Sequence, residues 1–326
     1  MADIEAAKVA DKVEAQAIGE RLRGSWVRRF ADSDLFYSFT RSPLVMTAAA
    51  ATVILFVAAA FAPWLAPHNP FDPATLDLMD ARTPPAWEEG GTSRYLLGTD
   101  DQGRDMLSAI MHGARISLVV GFAAILFAVV LGCLLGILSG YLGGWLDAVV
   151  MRLADIQLTL PGILVALMVN GVARAALPGK YQEELAIYVL IFAIGLADWP
   201  QFARVTRGST LVEKNKEYVA AARVIGIHPF KIMLRHILPN VLGPVLVIAT
   251  IGLALAIIAE ATLSFLGVGV PPTTPSLGTL IRIGNNFLFS GEWWITLFPS
   301  LALVILVLSV NLLGDWLRDA LNPKLR

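Results

Sequence analysis

The chain is poor in charge and almost without cysteine. Only 16% of its 326 residues are Asp, Glu, Lys or Arg, against about 25% in an ordinary soluble domain. The single cysteine, Cys133, excludes an intrachain disulfide and a cysteine-built metal cluster. Four histidines, His68, His112, His228 and His236, are dispersed, with no HExxH pair among them. Asp100, Asp101 and Asp105 do not follow the spacing of a calcium loop and read instead as turn and capping residues around Gly103. The nucleotide-binding pattern GxxxxGK[ST] is also missing, since Gly179-Lys180 is preceded by Pro178 and followed by Tyr181. No residue therefore stands as a catalytic group or metal ligand. No cofactor and no nucleic-acid partner is expected of this chain.

What the sequence has in excess is apolar surface: 56% hydrophobic residues and a mean hydropathy of +0.66, gathered into long runs. A membrane span needs about 20 mostly apolar residues. Six stretches meet that length, 44–66, 116–138, 148–169, 185–205, 241–263 and 295–317. The first begins too far into the chain for a secretory signal, so "AAAFAPWLA" is read as part of a retained span. Six spans put both ends on one side. If that side is the cytoplasm, it holds 18 of the 25 Lys and Arg residues, as the positive-inside rule requires. Ahead of the first span, "RLRGSWVRRF" suits either an anionic membrane surface or a solvated tail. The extracytoplasmic piece at 67–113 is turn-rich and does not read as a separate domain.

Several residues inside the runs are unusual for lipid. Asp198 sits beside Trp199 and Pro200, where the proline predicts a kink, and Glu260 lies deep in the fifth run. Both are candidates to line a translocation path; pairing with a neighbouring span or a partner is the competing reading. Arg152 and Asp155, three apart, are expected to pair. Gly132, Gly136 and Gly140 recur every fourth residue, the spacing of a close helix contact. Trp293 and Trp294 read as interfacial anchors.

One segment breaks the apolar pattern at 217–240: "EYVAAARVIGIHPFKIMLRHILPN". Tyr218, Ala221, Ala222 and Ile225 share one helix face, as do Phe230, Met233, Leu234 and Ile237. Gly226 suits the end of the first helix, Pro229 the first turn of the second, and Pro239 the return toward the membrane. The two faces are too small to make a core of their own. They would lie on lipid headgroups or enter the groove of a cytoplasmic partner.

This segment resembles the EAA loop of binding-protein-dependent ABC importer permeases. That pattern is Glu-Ala-Ala, three residues, Gly, nine residues, Ile, one residue, Leu-Pro. Ala221, Ala222, Gly226, Leu238 and Pro239 match in register, while Ala220 replaces the Glu and His236 the Ile. "LLGTDDQGRDMLS" (96–108), "ARISL" (114–118), "AEATLSFLGVGVPPTTPSLG" (259–278) and "NLLGDWLRDALNPKLR" (311–326) follow in the order of the C-type subunit of dipeptide, oligopeptide and nickel importers.

The resemblance implies an all-α, six-helix type I permease bundle with a cytoplasmic coupling helix, in a prokaryotic inner membrane. Its layout would be a cytoplasmic tail at 1–43, a span at 44–66, an extracytoplasmic loop at 67–113, a five-span core at 114–320 and a cytoplasmic end at 321–326. The implied function is ATP-driven import of peptides or related small solutes. The implied partners are a second homologous permease subunit, two ABC ATPase subunits that bind ATP and Mg, and an extracytoplasmic substrate-binding protein. Ala221, Ala222, Gly226, Ile227, His228, Pro229 and Phe230 would form the coupling contact. A self-contained channel or secondary transporter is the rival reading; it would call for more ionisable groups at the bilayer midplane, or for inverted repeats.

Overall fold

The computed structural model describes residues 34–72 and 76–321. The tail containing "RLRGSWVRRF" and the final "NPKLR" lie outside the described residues. The chain divides between Thr47 and Ala48 into two units. In the first, α1 (Asp34–Arg41) ends before α2 (Pro43–Ala60) begins, and the Ser42 hydroxyl accepts the Val45 N–H at 3.4 Å as a cap. In the second, α2 continues and is followed by α3 (Ala62–Leu65) and an irregular segment. The chain then runs through α4 (Met106–Leu142), α5 (Gly144–Leu158), α6 (Gly162–Ala176) and α7 (Gly179–Glu213). After these come α8 (Glu217–Val224), α9 (Pro229–Ile232), α10 (Leu238–Phe265), α11 (Leu277–Asn285) and α12 (Trp294–Leu321).

Among the described residues, five helices are long and apolar enough to cross a membrane, and the number is six if α5 and α6 count as one bent span. Their outward faces are apolar: Val119, Phe122, Leu126 and Val130 make one exposed stripe down α4. Water would not tolerate such a face, whereas lipid or another apolar subunit does. Small residues face inward. A Cβ on Gly132 would lie 2.5 Å from the Phe202 Cβ, and one on Gly136 2.6 Å from the Ala203 carbonyl. One on Gly140 would come 2.9 Å from the Thr210 Cβ. The glycine face is the seam between α4 and α7.

Three sequence expectations need correction. The run at 148–169 is not one helix, because α5 and α6 meet at 100°. Pro161 has no N–H to continue the ladder and pushes Leu160 out of helical geometry. Pro200, by contrast, lies inside one helix, α7. Asp155 pairs with Arg204 of α7 at 2.6 Å instead of with Arg152, since α7 brings a cation closer than α5 itself does. The two tryptophans are packed inside: Trp294 is 5% exposed and its indole donates to the Thr99 carbonyl at 3.0 Å. Trp293 donates to Glu88 at 3.1 Å.

Those tryptophan bonds hold the irregular segment ahead of α4 down on the helices. Within it, Asp100 and Arg104 form a buried ion pair at 2.5 Å, and an Arg104 N–H reaches the Pro272 carbonyl at 3.3 Å. Asp105 caps α4 by accepting the Ser108 N–H at 2.9 Å. Gly103 has φ +77°, and a Cβ there would lie 2.3 Å from the Asp77 carbonyl. The motif at 96–108 is thus a turn, a buried ion pair and a helix cap in succession. Burial and the neighbouring Asp100 push the Asp101 carboxyl above the usual carboxylate range.

Candidate functional site

The segment at 217–240 is an ordered corner joining α7 to α10. As α7 ends, Lys214 Nζ donates to the Gly140 carbonyl at the end of α4 at 2.6 Å. Helix α8 closes with the Gly226 N–H on the Arg223 carbonyl and the Ile227 N–H on the Ala222 carbonyl, each at 3.0 Å. Gly226 holds φ +82°, which glycine adopts without strain. His228 Nδ1 then accepts the Phe230 N–H at 3.3 Å, and Pro229 takes the first helical position. From Pro229 the helix runs on to Phe265, through a π turn at Met233–Ile237. Pro239 lies in the first turn of α10, the apolar helix that follows the corner. The wider π turn, which includes Arg235, takes up the clash a proline makes with the carbonyl four residues earlier.

The two expected apolar stripes are split by this geometry. Val219, Ala222, Ile232 and Ile237 are buried in the central core, with Ile227 partly buried against it. The Arg223 guanidinium lies 5.2 Å from the centre of the Tyr141 ring, bracing α8 against α4. Ala221, His228 and Pro229 are exposed. Val224 is 88% exposed and Ile225 77%, so the corner presents an apolar tip. Phe230 and Leu234 lean over an apolar hollow of about 240 Å³ closed by Cys133, Leu134 and Leu138 of α4. Sequence reasoning missed Val224, whose exposure follows from Val219 being the face that packs.

It also missed the polar hub of the corner. The Tyr218 hydroxyl donates to Glu213 Oε1 at 2.5 Å and lies 3.3 Å from the His236 carbonyl. Asn240 donates to the same carbonyl at 2.7 Å and to the Tyr218 oxygen at 3.3 Å. Lys216 holds the Glu213 carboxylate at 2.8 Å. Burial and the Glu213 carboxylate push the Tyr218 hydroxyl up to about 12, so it stays protonated and able to donate.

The two acidic candidates within spans differ sharply. Asp198 is half-buried on α7 and makes no hydrogen bond or ion pair with the described residues. Glu260 is 0% exposed; its Oε1 accepts from the Ser264 hydroxyl at 2.7 Å, and the Ser117 and Ser276 hydroxyls also hydrogen-bond its carboxyl. Within the described residues the Glu260 carboxyl is thus enclosed by hydroxyls of α4, α10 and the residue that caps α11. Near Asp198, Gln157 donates to the Leu196 carbonyl at 2.6 Å and to the Ala197 carbonyl at 3.0 Å. Leu196 is the residue whose carbonyl Pro200, four positions on, cannot bond. Gln157 also accepts the Trp199 indole N–H at 3.0 Å.

A multi-span helical bundle, a glycine seam and a protruding helical corner define the chain as a polytopic membrane component of the transport type. Comparison with known proteins gives the family. A model described as "Binding-protein-dependent transport system inner membrane component" matches residues 128–326. One described as the N-terminal TM domain of oligopeptide transport permease C matches 33–85. The chain belongs to the binding-protein-dependent transport family and is a permease subunit of an ABC importer.

Among its relatives, the dipeptide transport system permease protein DppC of Escherichia coli K12 is 42% identical over 90% of this chain and 93% of its own. The di/tripeptide permease DppC of Pseudomonas aeruginosa is 36% identical over 84% and 86%. The glutathione transport system permease protein GsiD of Escherichia coli is 38% identical over 88% and 89%. A solved structure of the MetNI methionine ABC transporter, inward facing, overlays with a TM-score of 0.50 at 21% identity, over 67% of this chain and 98% of that one, and shares the fold. The family sets aside the self-contained channel or secondary transporter.

Proposed function

We propose that the chain supplies half of a translocation path for peptides or closely related small solutes, and that the tip at Val224–Phe230 couples it to cytoplasmic ATPases. The observation that carries the coupling is the tip itself. Val224 and Ile225 are strongly exposed apolar residues on a corner held in place by hydrogen bonds and buried side chains. A floppy loop could leave such residues out by chance; a braced one presents them. The groove of a partner is the complement of that shape. Ala221, Gly226, His228 and Pro229 shape the corner, while Ala222 and Ile227 anchor it.

The peptide class rests on relatives whose names specify dipeptides, di/tripeptides and glutathione, each a short peptide or peptide conjugate. The partners in this reading are a second homologous permease, two ABC ATPase subunits that bind ATP and Mg, and an extracytoplasmic binding protein. This chain itself performs no catalysis and holds no cofactor. Asp198, exposed in part and without a partner among the described residues, is proposed to face the path; Glu260 is not. Both ends of the chain lie in the cytoplasm, as the distribution of Lys and Arg supports.

The test is a mild-detergent purification of the tagged chain with its natural partners. Val224→Asp with Ile225→Asp, and separately Gly226→Asp with Pro229→Asp, should leave the second permease bound and release the ATPases. Retention of the ATPases by both variants would end the coupling proposal. Uptake of a radiolabelled dipeptide by cells carrying the wild-type system, lost when the chain is deleted, checks the solute class separately.

A further inference from the structure

Four segments converge on one hydroxyl at the base of the corner. Glu213 is the last residue of α7, and Tyr218 is in the first turn of α8. His236 lies in the π turn, and Asn240 is in the first turn of α10. The Tyr218 oxygen reaches the other three, at 2.5 Å, 3.3 Å and 3.3 Å respectively. The His236 carbonyl is a shared acceptor of the hub. It is answered by side chains of Tyr218 and Asn240, at 3.3 Å and 2.7 Å.

The other contacts of α8 are of two kinds. Val219 and Ala222 are apolar and pack without direction, so they allow sliding. Arg223 and Lys214 brace the corner toward α4, through the Tyr141 ring and the Gly140 carbonyl, and Arg223 also donates to the Lys214 carbonyl at the end of α7 at 3.3 Å. None of these reaches α10; among the described residues only the Tyr218 hub gives a directional link from α8 to both α7 and α10, the two long helices that the corner joins.

We propose that Tyr218 is a positioning residue: its hydroxyl locks the tip-bearing helix α8 to the end of α7 and the start of α10, so that a push on the tip moves both spans as one body. This rests on the coupling reading above. Without the lock, the tip can be displaced while the spans lag behind it. ATPase closure is then no longer opposed by the resting packing of the spans, and hydrolysis in the absence of any solute speeds up.

The experiment uses the reconstituted complex of both permeases and the ATPases, with ATP and Mg but no solute or binding protein. Tyr218→Phe keeps the ring and removes only the hydroxyl. It should retain the wild-type complement of ATPases and hydrolyse ATP about three- to tenfold faster, the order expected when one or two hydrogen bonds are lost. Asn240→Ala should do the same, and the double variant should be no faster than the faster single one, as residues of one unit behave. A hydroxyl that merely supports the local fold would lower activity or shed ATPases; either result overturns the proposal, as does an unchanged rate. If the Val224→Asp and Ile225→Asp chain keeps its ATPases, the coupling reading has failed first. If it loses them while Tyr218→Phe is like wild type, only the lock has failed.

Discussion

Gln157 ends α5, yet its side chain serves α7, where Pro200 leaves the Leu196 carbonyl without a helical donor. In a hydrocarbon setting no water answers that carbonyl, so a neighbouring helix must. Gln157→Leu keeps the volume but strips the bonds to the Leu196 carbonyl and the Trp199 indole. Each group left unpaired costs about 1–3 kcal/mol, so the thermal midpoint of the purified chain in detergent should fall clearly. An unchanged midpoint would mean that the exposed side of α7 takes over the pairing. Asp198 and Pro200 were visible in the sequence as anomalies. Gln157, which answers the carbonyl that Pro200 leaves free, was not, because nothing local marks it as anything but a polar residue near a helix end. The aspartates at 100 and 105 were legible for the opposite reason: the N–H groups that donate to them lie within four residues.

The pairing of α4 with α7 was foreshadowed by one glycine period, and its partner residues came only with the fold. Gly136→Val would put branched carbon where a Cβ alone is already 2.6 Å from the Ala203 carbonyl. Neither backbone can yield without separating the seam, so a loss of about 1–3 kcal/mol is expected from overpacking. Denaturant titration of the detergent-solubilised chain would register it, and wild-type behaviour would show that the seam is loose. At 148–169 the hydropathy pattern misled, because an apolar run carries no signal of direction. Pro161 decides between one span and a bent pair, and the structure resolves it as two helices at 100°. At the corner at 217–240 local chemistry sufficed. Gly226 and Pro229 acted as their types predict, and Pro239 stands in the first turn of α10, behind a π turn.

For the molecule as a whole, the placement of the corner in the cytoplasm is open to direct labelling. The one native cysteine, Cys133, is buried and should stay silent. An Ile225→Cys chain should react with a membrane-impermeant maleimide in inside-out vesicles and be spared in intact spheroplasts. Reaction in the spheroplasts alone would reverse the topology and remove the basis of the coupling proposal. The apolar outer stripes, such as Val119 to Val130 on α4, fit a chain whose remaining surface belongs to lipid and a second permease.

By itself, the sequence determined that this is an α-helical membrane protein with about six spans and a polar helical corner between the last two long helices before the C-terminal span. Those properties follow from hydropathy over windows of about 20 residues and from turn chemistry, both of which are local. It also determined the family, through motifs kept in order along the chain. Only the tertiary structure decided which apolar residues of the corner face inward and which form the tip. The same holds for Glu260 being sealed within its own chain, and for Gln157 and Tyr218 carrying long-range polar contacts. These depend on where distant helices pass one another, and a helix face has no inside until another helix covers it.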